Sequence, residues 1–150
     1  MKRRFLLVDG HSVIFQWQGL SNLHGRKPEH AREALARILR DYQDSSDFQV
    51  VLVFDGQGPR VSQSKEEGNI QIFYSKTGQS ADAVIERLTA KYAETHEITV
   101  ATDDNLERQT VTSFGGQWMS TTHLLSEMED ARRSLAERIE KNNIRRRPLR

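Results

Sequence analysis

Three apolar runs in the chain end in the same residue type: FLLVD stops at Asp9, VVLVFD at Asp55, and ITVATDD at the pair Asp103 and Asp104. A fifth acid, Asp82, falls in what reads as the first turn of a helix following the run IQIFY, and Glu86 stands four residues further along the same helix face. If the runs are parallel strands, these carboxylates emerge along one edge of the sheet. Acids crowded in this way repel one another unless a cation neutralises them. An all-oxygen donor set suits Mg²⁺ or Mn²⁺, and Mg²⁺ is typically held by a few carboxylates together with the phosphate oxygens of a substrate. The chemistry indicated is metal-assisted attack at a phosphoryl group. Each aspartate also has a plainer reading as a turn residue or helix cap, and Asp55, followed by Gly56, fits that reading best.

The elements that must position these acids follow from hydrophobic period. Runs at 5–8, 50–54, 70–74 and 98–101 read as strands, and the first two lack polar alternation, as expected for central strands covered on both faces. From Pro28, the residues Ala31, Leu35, Ile38, Leu39 and Tyr42 recur at helical steps until the cluster Asp44, Ser45, Ser46, Asp47. A second helix takes Ser80 as N-cap and buries Ala81, Val84, Ile85, Leu88 and Tyr92. A short third helix follows Asp104 and ends at Gly115 and Gly116, and 117–119 is a brief fifth strand. Residues 123–142 form a long charged helix with Leu124, Met128, Ala131, Leu135 and Ile139 along one side. The stretch 16–25 reads as a loop and places Trp17 where it could stack on a base, whereas Trp118 reads as core. Alternating strands and helices of this kind specify an α/β domain with a mostly parallel sheet of four to five strands. Ligands of such sheets bind beyond the carboxyl ends of the strands.

With 150 residues the chain is long enough for one domain and one core. The absence of cysteine excludes disulfide scaffolds, thiolate metal sites and cysteine nucleophiles. The opening apolar run stops at Asp9, too early for a secretory leader, and no segment has the length of a membrane span, so the expected location is cytoplasmic. His11, His24, His30, His96 and His123 show no zinc-ligand spacing, and neither a dinucleotide fingerprint nor a Walker lysine motif is present. The overall net charge of +1 is unevenly distributed. Residues 131–150 carry a net +6, which leaves −5 for residues 1–130. This divides the chain into a domain over 1–142 and a basic tail over 143–150, whose Arg145, Arg146 and Arg147 are candidates to meet a polyanion.

In order and spacing, four segments resemble one family: LLVDGHSVIF, VVLVFDG, FYSKTGQSADAVIERL and VATDDNLERQTVTSFGGQWMS are similar to the YacP-like branch of NYN domains, within the PIN-like ribonuclease fold. The resemblance spans roughly residues 4–140. It implies a Rossmann-like α/β domain and a Mg²⁺- or Mn²⁺-dependent endoribonuclease, which leaves a 5′-phosphate and a 3′-hydroxyl. Carried over by position, the metal-holding acids fall on Asp9, Asp82, Asp103 and Asp104, with Asp9, Asp82 and Asp103 catalytic. Ser12 stands where the family motif more often has asparagine, and His11 takes the place of the motif's aromatic. Ser12 is thus expected, with Asp55 and Glu86, in a supporting shell. The implied partner is RNA, whether messenger, ribosomal or transfer, including RNA within a ribonucleoprotein. Arg60, Lys65 and Lys76, on loops beside the expected active edge, are candidate contacts along with the three tail arginines. The alternative function is a catalytically weak module of the same fold that binds RNA or a ribonucleoprotein.

Overall fold

The computed structural model describes residues 2–56, 62–64, 70–76 and 78–146. Six strands form one sheet: β1 (Arg4–Asp9), β2 (Gln49–Phe54), β3 (Ser62–Ser64), β4 (Gln71–Tyr74), β5 (Glu97–Ala101) and β6 (Gln117–Met119). Their spatial order is β3-β4-β2-β1-β5-β6. Five strands run parallel, with Leu7 of β1 paired to Val51 of β2 and to Val100 of β5, and only the short edge strand β3 is antiparallel. This is the expected α/β sheet with one edge strand beyond the four to five expected, since the sequence of β3, SQS, has no hydrophobic signal.

Alternation along the strands divides the core into two layers. Leu6 and Val8 of β1, with Leu52 and Phe54 of β2, pack beneath α1 (Gly10–Gln16), α2 (Gln18–Arg26), α3 (Pro28–Ser45) and the first turns of α6 (Thr121–Arg146). Leu7, Val51, Val53 and Val100 face the other way, against α4 (Ala81–Tyr92) and α5 (Asn105–Ser113). The chain lays down β1, β2 and β4 in one direction and then crosses to β5 on the far side of β1. The switch point therefore lies between β1 and β5, so a cleft opens at the carboxyl ends of these strands, where sheets of this type take their ligands.

Several local expectations are corrected. The stretch 16–25 is helical rather than a loop: α1 ends at Gln16 and α2 starts at Gln18, on either side of Trp17, and Val13 and Leu20, seven residues apart, both reach the core. Tyr92 is exposed rather than buried: it occupies the last residue of α4, with its ring tilted against His96 at 6.2 Å. Trp118 lies at the open edge of the sheet, half-covered by Arg108, whose guanidinium stands 4.1 Å above the indole. The last helix starts at Thr121, before His123, and continues through residue 142 to Arg146, so the backbone of the first half of the expected tail is helical. Beyond Met128 the described side chains of α6 are exposed apart from half-buried Ala131, and Ile139, expected on its apolar side, is 51% exposed. Arg60, Lys65 and Arg147 lie outside the described residues, as do the side chains of Arg145 and Arg146. Among the described residues, no helix is long and apolar enough to cross a membrane.

Candidate metal centre

Three helix starts converge on the cleft between β1 and β5, and each brings one acid. Asp9 ends β1 and is also the N-cap of α1, where its Oδ1 accepts from the Ser12 amide at 3.4 Å. The following residue has to be glycine, since a Cβ at Gly10 would come within 2.2 Å of the Phe54 ring. Asp82 lies in the first turn of α4, which Ser80 caps through its hydroxyl, 3.1 Å from the Ala83 amide. A second tie fixes the same turn from across the cleft: Asp55 Oδ1, just past β2, accepts from the Ala81 amide at 2.7 Å. The third acid is Glu107, in the first turn of α5. It is 2% exposed, and its Oε2 accepts from the Thr102 hydroxyl at 3.0 Å.

One carboxylate oxygen from each of Asp9, Asp82 and Glu107 lies within 4.8 Å of the other two. The electrostatics follow from burial. Asp9 is pushed up to about 6, first by removal from water and then by the Asp82 charge, with the hydrogen bonds from Ser12 pulling the other way. Glu107 is driven further, to about 9, again first by burial, then by a hydrogen bond with Asp82 and by that residue's charge. Glu107 Oε1 is buried and no amide or hydroxyl donates to it. Two carboxyl groups in this arrangement share either a proton or a cation. The donor set consists of oxygen alone, two of its members are almost fully buried, and one oxygen lacks a donor, so the residues fit a hard divalent ion.

The other expected site residues are distributed around this centre. Asp103 and Asp104 share its sheet edge, but their carboxylates are engaged elsewhere. Asp103 accepts from the Thr121 amide at 3.0 Å and from the Thr121 hydroxyl, anchoring the start of α6. Asp104 caps α5, accepting from Leu106 at 2.9 Å and Glu107 at 3.5 Å. Neither is among the three clustered acids. Ser12 touches Asp9 through its backbone amide, Asp55 supports α4, Glu86 is half-buried one turn beyond Asp82, and Lys76 is exposed just after β4. Glu107 was not among the expected site residues. Its signal is an acid three residues after the N-cap Asp104, the spacing by which a first-turn carboxylate faces back toward its helix start.

The YacP-like NYN domain family matches residues 6–150. The chain belongs to this family. It is 30% identical over 138 residues to Uncharacterized protein YacP of Bacillus subtilis (strain 168), an alignment covering 91% of this chain and 81% of that protein. Two crystal structures of Rae1 (YacP) from Bacillus subtilis share the fold at 29% identity. The first, of a tryptophan-to-leucine mutant, has a TM-score of 0.81 and covers 97% of this chain and 86% of that one. The second has a TM-score of 0.80, with 94% and 82% covered. Membership in the NYN family goes with the PIN-like nuclease fold, and the parallel sheet with its acidic cleft at the switch point is consistent with it.

Proposed function

We propose that this chain is a metal-dependent endoribonuclease that hydrolyses RNA phosphodiester bonds, with Asp9, Asp82 and Glu107 holding Mg²⁺ or Mn²⁺. The observation that carries the reading is the convergence of these three carboxylates within 4.8 Å at the strand ends of a domain belonging to the NYN family. A hard divalent ion in such a setting supplies a water of lowered pKa and stabilises charge developing on the phosphoryl group.

The chain's own residues supply the rest. Asp9 and Glu107, whose proton affinities burial has raised, would hold such an ion in their deprotonated forms. Thr102 and Ser12 hold two of the ligands in place. Asp103 and Asp104 act through the helices they cap: Asp104 sets the first turn of α5 and hence Glu107, while Asp103 fixes α6 to the end of β5. The positive ends of α4 and α5 both open on the cleft and favour a phosphate there. Lys76 and the arginines of the C-terminal end are the proposed RNA contacts outside it.

The test is incubation of purified protein with a mixed pool of single-stranded RNA in Mn²⁺ or in EDTA. Cleavage in Mn²⁺ alone, abolished by Asp82→Asn, is the expected result. RNA binding without cleavage under both conditions would make the chain a binding module instead.

A further inference from the structure

Beside the acidic cleft lies a second concavity, an open groove of about 1010 Å³ between the first helices and the ends of β2 and β4. Its floor and one wall are aromatic. His11 of α1 packs edge-on to His24 of α2 at 5.7 Å and to Phe54 at 5.4 Å, and Phe15 lies nearly parallel to His11 at 6.0 Å. Phe15 also meets His24 edge-on at 5.3 Å, closing a three-ring cluster. Tyr74 forms part of the opposite wall, its ring stacked on Phe54 at 5.6 Å. The rim carries Lys27 and Arg32, with Glu29 between them in the sequence.

Three features of this groove are unexplained by packing. Phe15 is 60% exposed, although its ring belongs to a cluster of aromatic side chains. His11 Nδ1 is buried without a hydrogen-bond partner, 3.9 Å from Asp55 Oδ2, too far for a hydrogen bond. The groove is also continuous with the catalytic edge, since Asp55 and Gly56 line it while Asp55 simultaneously caps the helix that carries Asp82. An apolar partner would bury Phe15 but make no use of Lys27 and Arg32, the two cations that flank Glu29 on the rim. A nucleotide has what both need: a flat π-face for the rings and a phosphate for the cations.

We propose that this groove seats one unpaired nucleotide of the RNA strand next to the scissile phosphate. Its base stacks on Phe15 against the imidazoles of His11 and His24, and its phosphate lies toward Lys27 and Arg32. The inference rests on the nuclease reading for its substrate class and extends it with a defined base subsite. The substrate is single-stranded at that position, because a base held in a duplex stack cannot offer its face to a side chain.

The experiment measures binding without cleavage. Short fluorescein-labelled single-stranded RNAs, each with one abasic nucleotide at a successive position, are titrated against the full chain in EDTA. In the wild type one position stands out, and loss of its base weakens binding about tenfold, within the range of a base stacked on an aromatic ring. Phe15→Ala, at an exposed side chain, weakens binding of the intact RNA by a similar factor and removes the penalty at that position, while Phe15→Tyr restores both. Non-additivity between the base and the ring is the signature of contact. Unchanged affinity in Phe15→Ala, or an abasic penalty that persists in it, overturns the groove assignment. The same proteins assayed with Mn²⁺ separate the two readings. Cleavage by a wild type lacking any position-specific penalty retains the nuclease and rejects the subsite, whereas a penalty without cleavage retains the subsite and rejects the nuclease.

Discussion

The Thr102 hydroxyl donates to Glu107 Oε2 at 3.0 Å while accepting from the Asp104 amide at 3.1 Å. One fully buried side chain at the end of β5 thus holds both the cap of α5 and the acid that α5 contributes to the candidate metal centre. The geometry of the site is set by a residue that does not belong to the clustered acids.

That arrangement predicts the effect of Thr102→Val. The substitution keeps the shape but leaves Glu107 without a donor on either oxygen, and the loss of an outer partner of this kind typically weakens metal binding about 10- to 100-fold. Stability should fall by about 1–3 kcal/mol through the unsatisfied buried groups. Calorimetric titration with Mn²⁺ measures the first and chemical denaturation the second, and Thr102→Ser should recover both. Wild-type Mn²⁺ affinity in the valine variant would remove Glu107 from the ligand set.

A pH dependence follows from the two raised carboxyl groups. Asp9, at about 6, and Glu107, at about 9, stay protonated in the folded chain at pH values where the unfolded chain has released those protons. The folded state therefore binds more protons than the unfolded state from the ordinary carboxylate range up to about pH 9. Across that window these two groups make the metal-free protein less stable as pH rises. A divalent ion takes the place of the protons, so the gain in Tm on adding Mg²⁺ should be larger at about pH 8.5 than at about pH 6. Thermal unfolding at both values, with Mg²⁺ and with EDTA, measures the difference. An equal gain at both would mean that Mg²⁺ binding releases no protons from these acids.

The legibility of the site differed from residue to residue. Asp9 and Asp82 stood out because a continuous apolar run followed by an acid, and an acid just after a Ser N-cap, are both local patterns. Glu107 did not, because its burial is a property of the cleft: in the sequence it is one of two charged residues in LERQ, on a helix whose visible punctuation is Asp104. Asp103 and Asp104 illustrate the converse. Their adjacency suggested two ligands, but one carboxylate turns to α6 and the other to α5, a division that depends on where Thr121 arrives in space. Four of the five parallel strands were readable from their apolar runs, and the brief fifth, at 117–119, from its place after the glycines that end the preceding helix. The antiparallel edge strand, SQS, carried no periodic signal, and the short helices after β1 were hard to read because α2 buries few residues, Leu20 among them.

Asp55 offers a test of how strongly the second tie positions α4. Its carboxylate is the only acceptor described for the Ala81 amide, so Asp55→Ala removes a cap-like bond and should destabilise the protein by about 1 kcal/mol. Asp55→Asn, which keeps an acceptor oxygen, should cost less. Because the first turn of α4 carries Asp82, the alanine variant should also bind Mn²⁺ more weakly, read by the same calorimetric titration. Unchanged affinity would show that Ser80 alone holds that turn.

The arginine-rich end gives the last prediction. The helix α6 leaves the body after Met128 with its described side chains largely exposed, and its backbone runs on to Arg146. The described part of α6 beyond Met128 thus carries Arg132, Arg133, Arg138 and Lys141 on exposed side chains, and the sequence of 131–150 is net basic while the rest of the chain is net acidic. Truncation after Asn142 removes Arg145, Arg146, Arg147 and Arg150. If all four meet phosphates, the log–log salt slope of single-stranded RNA binding should become shallower by about 3 units. Affinity should fall most at low salt, while the cleavage rate at saturating RNA changes little, because the acids of the cleft lie on other elements. Binding measured by fluorescence anisotropy across a salt series decides it. A slope equal to that of the full chain would show that these arginines release no counterions on binding, and the phosphate contacts would then have to come from other cations of the chain, such as Lys76 and those along the groove.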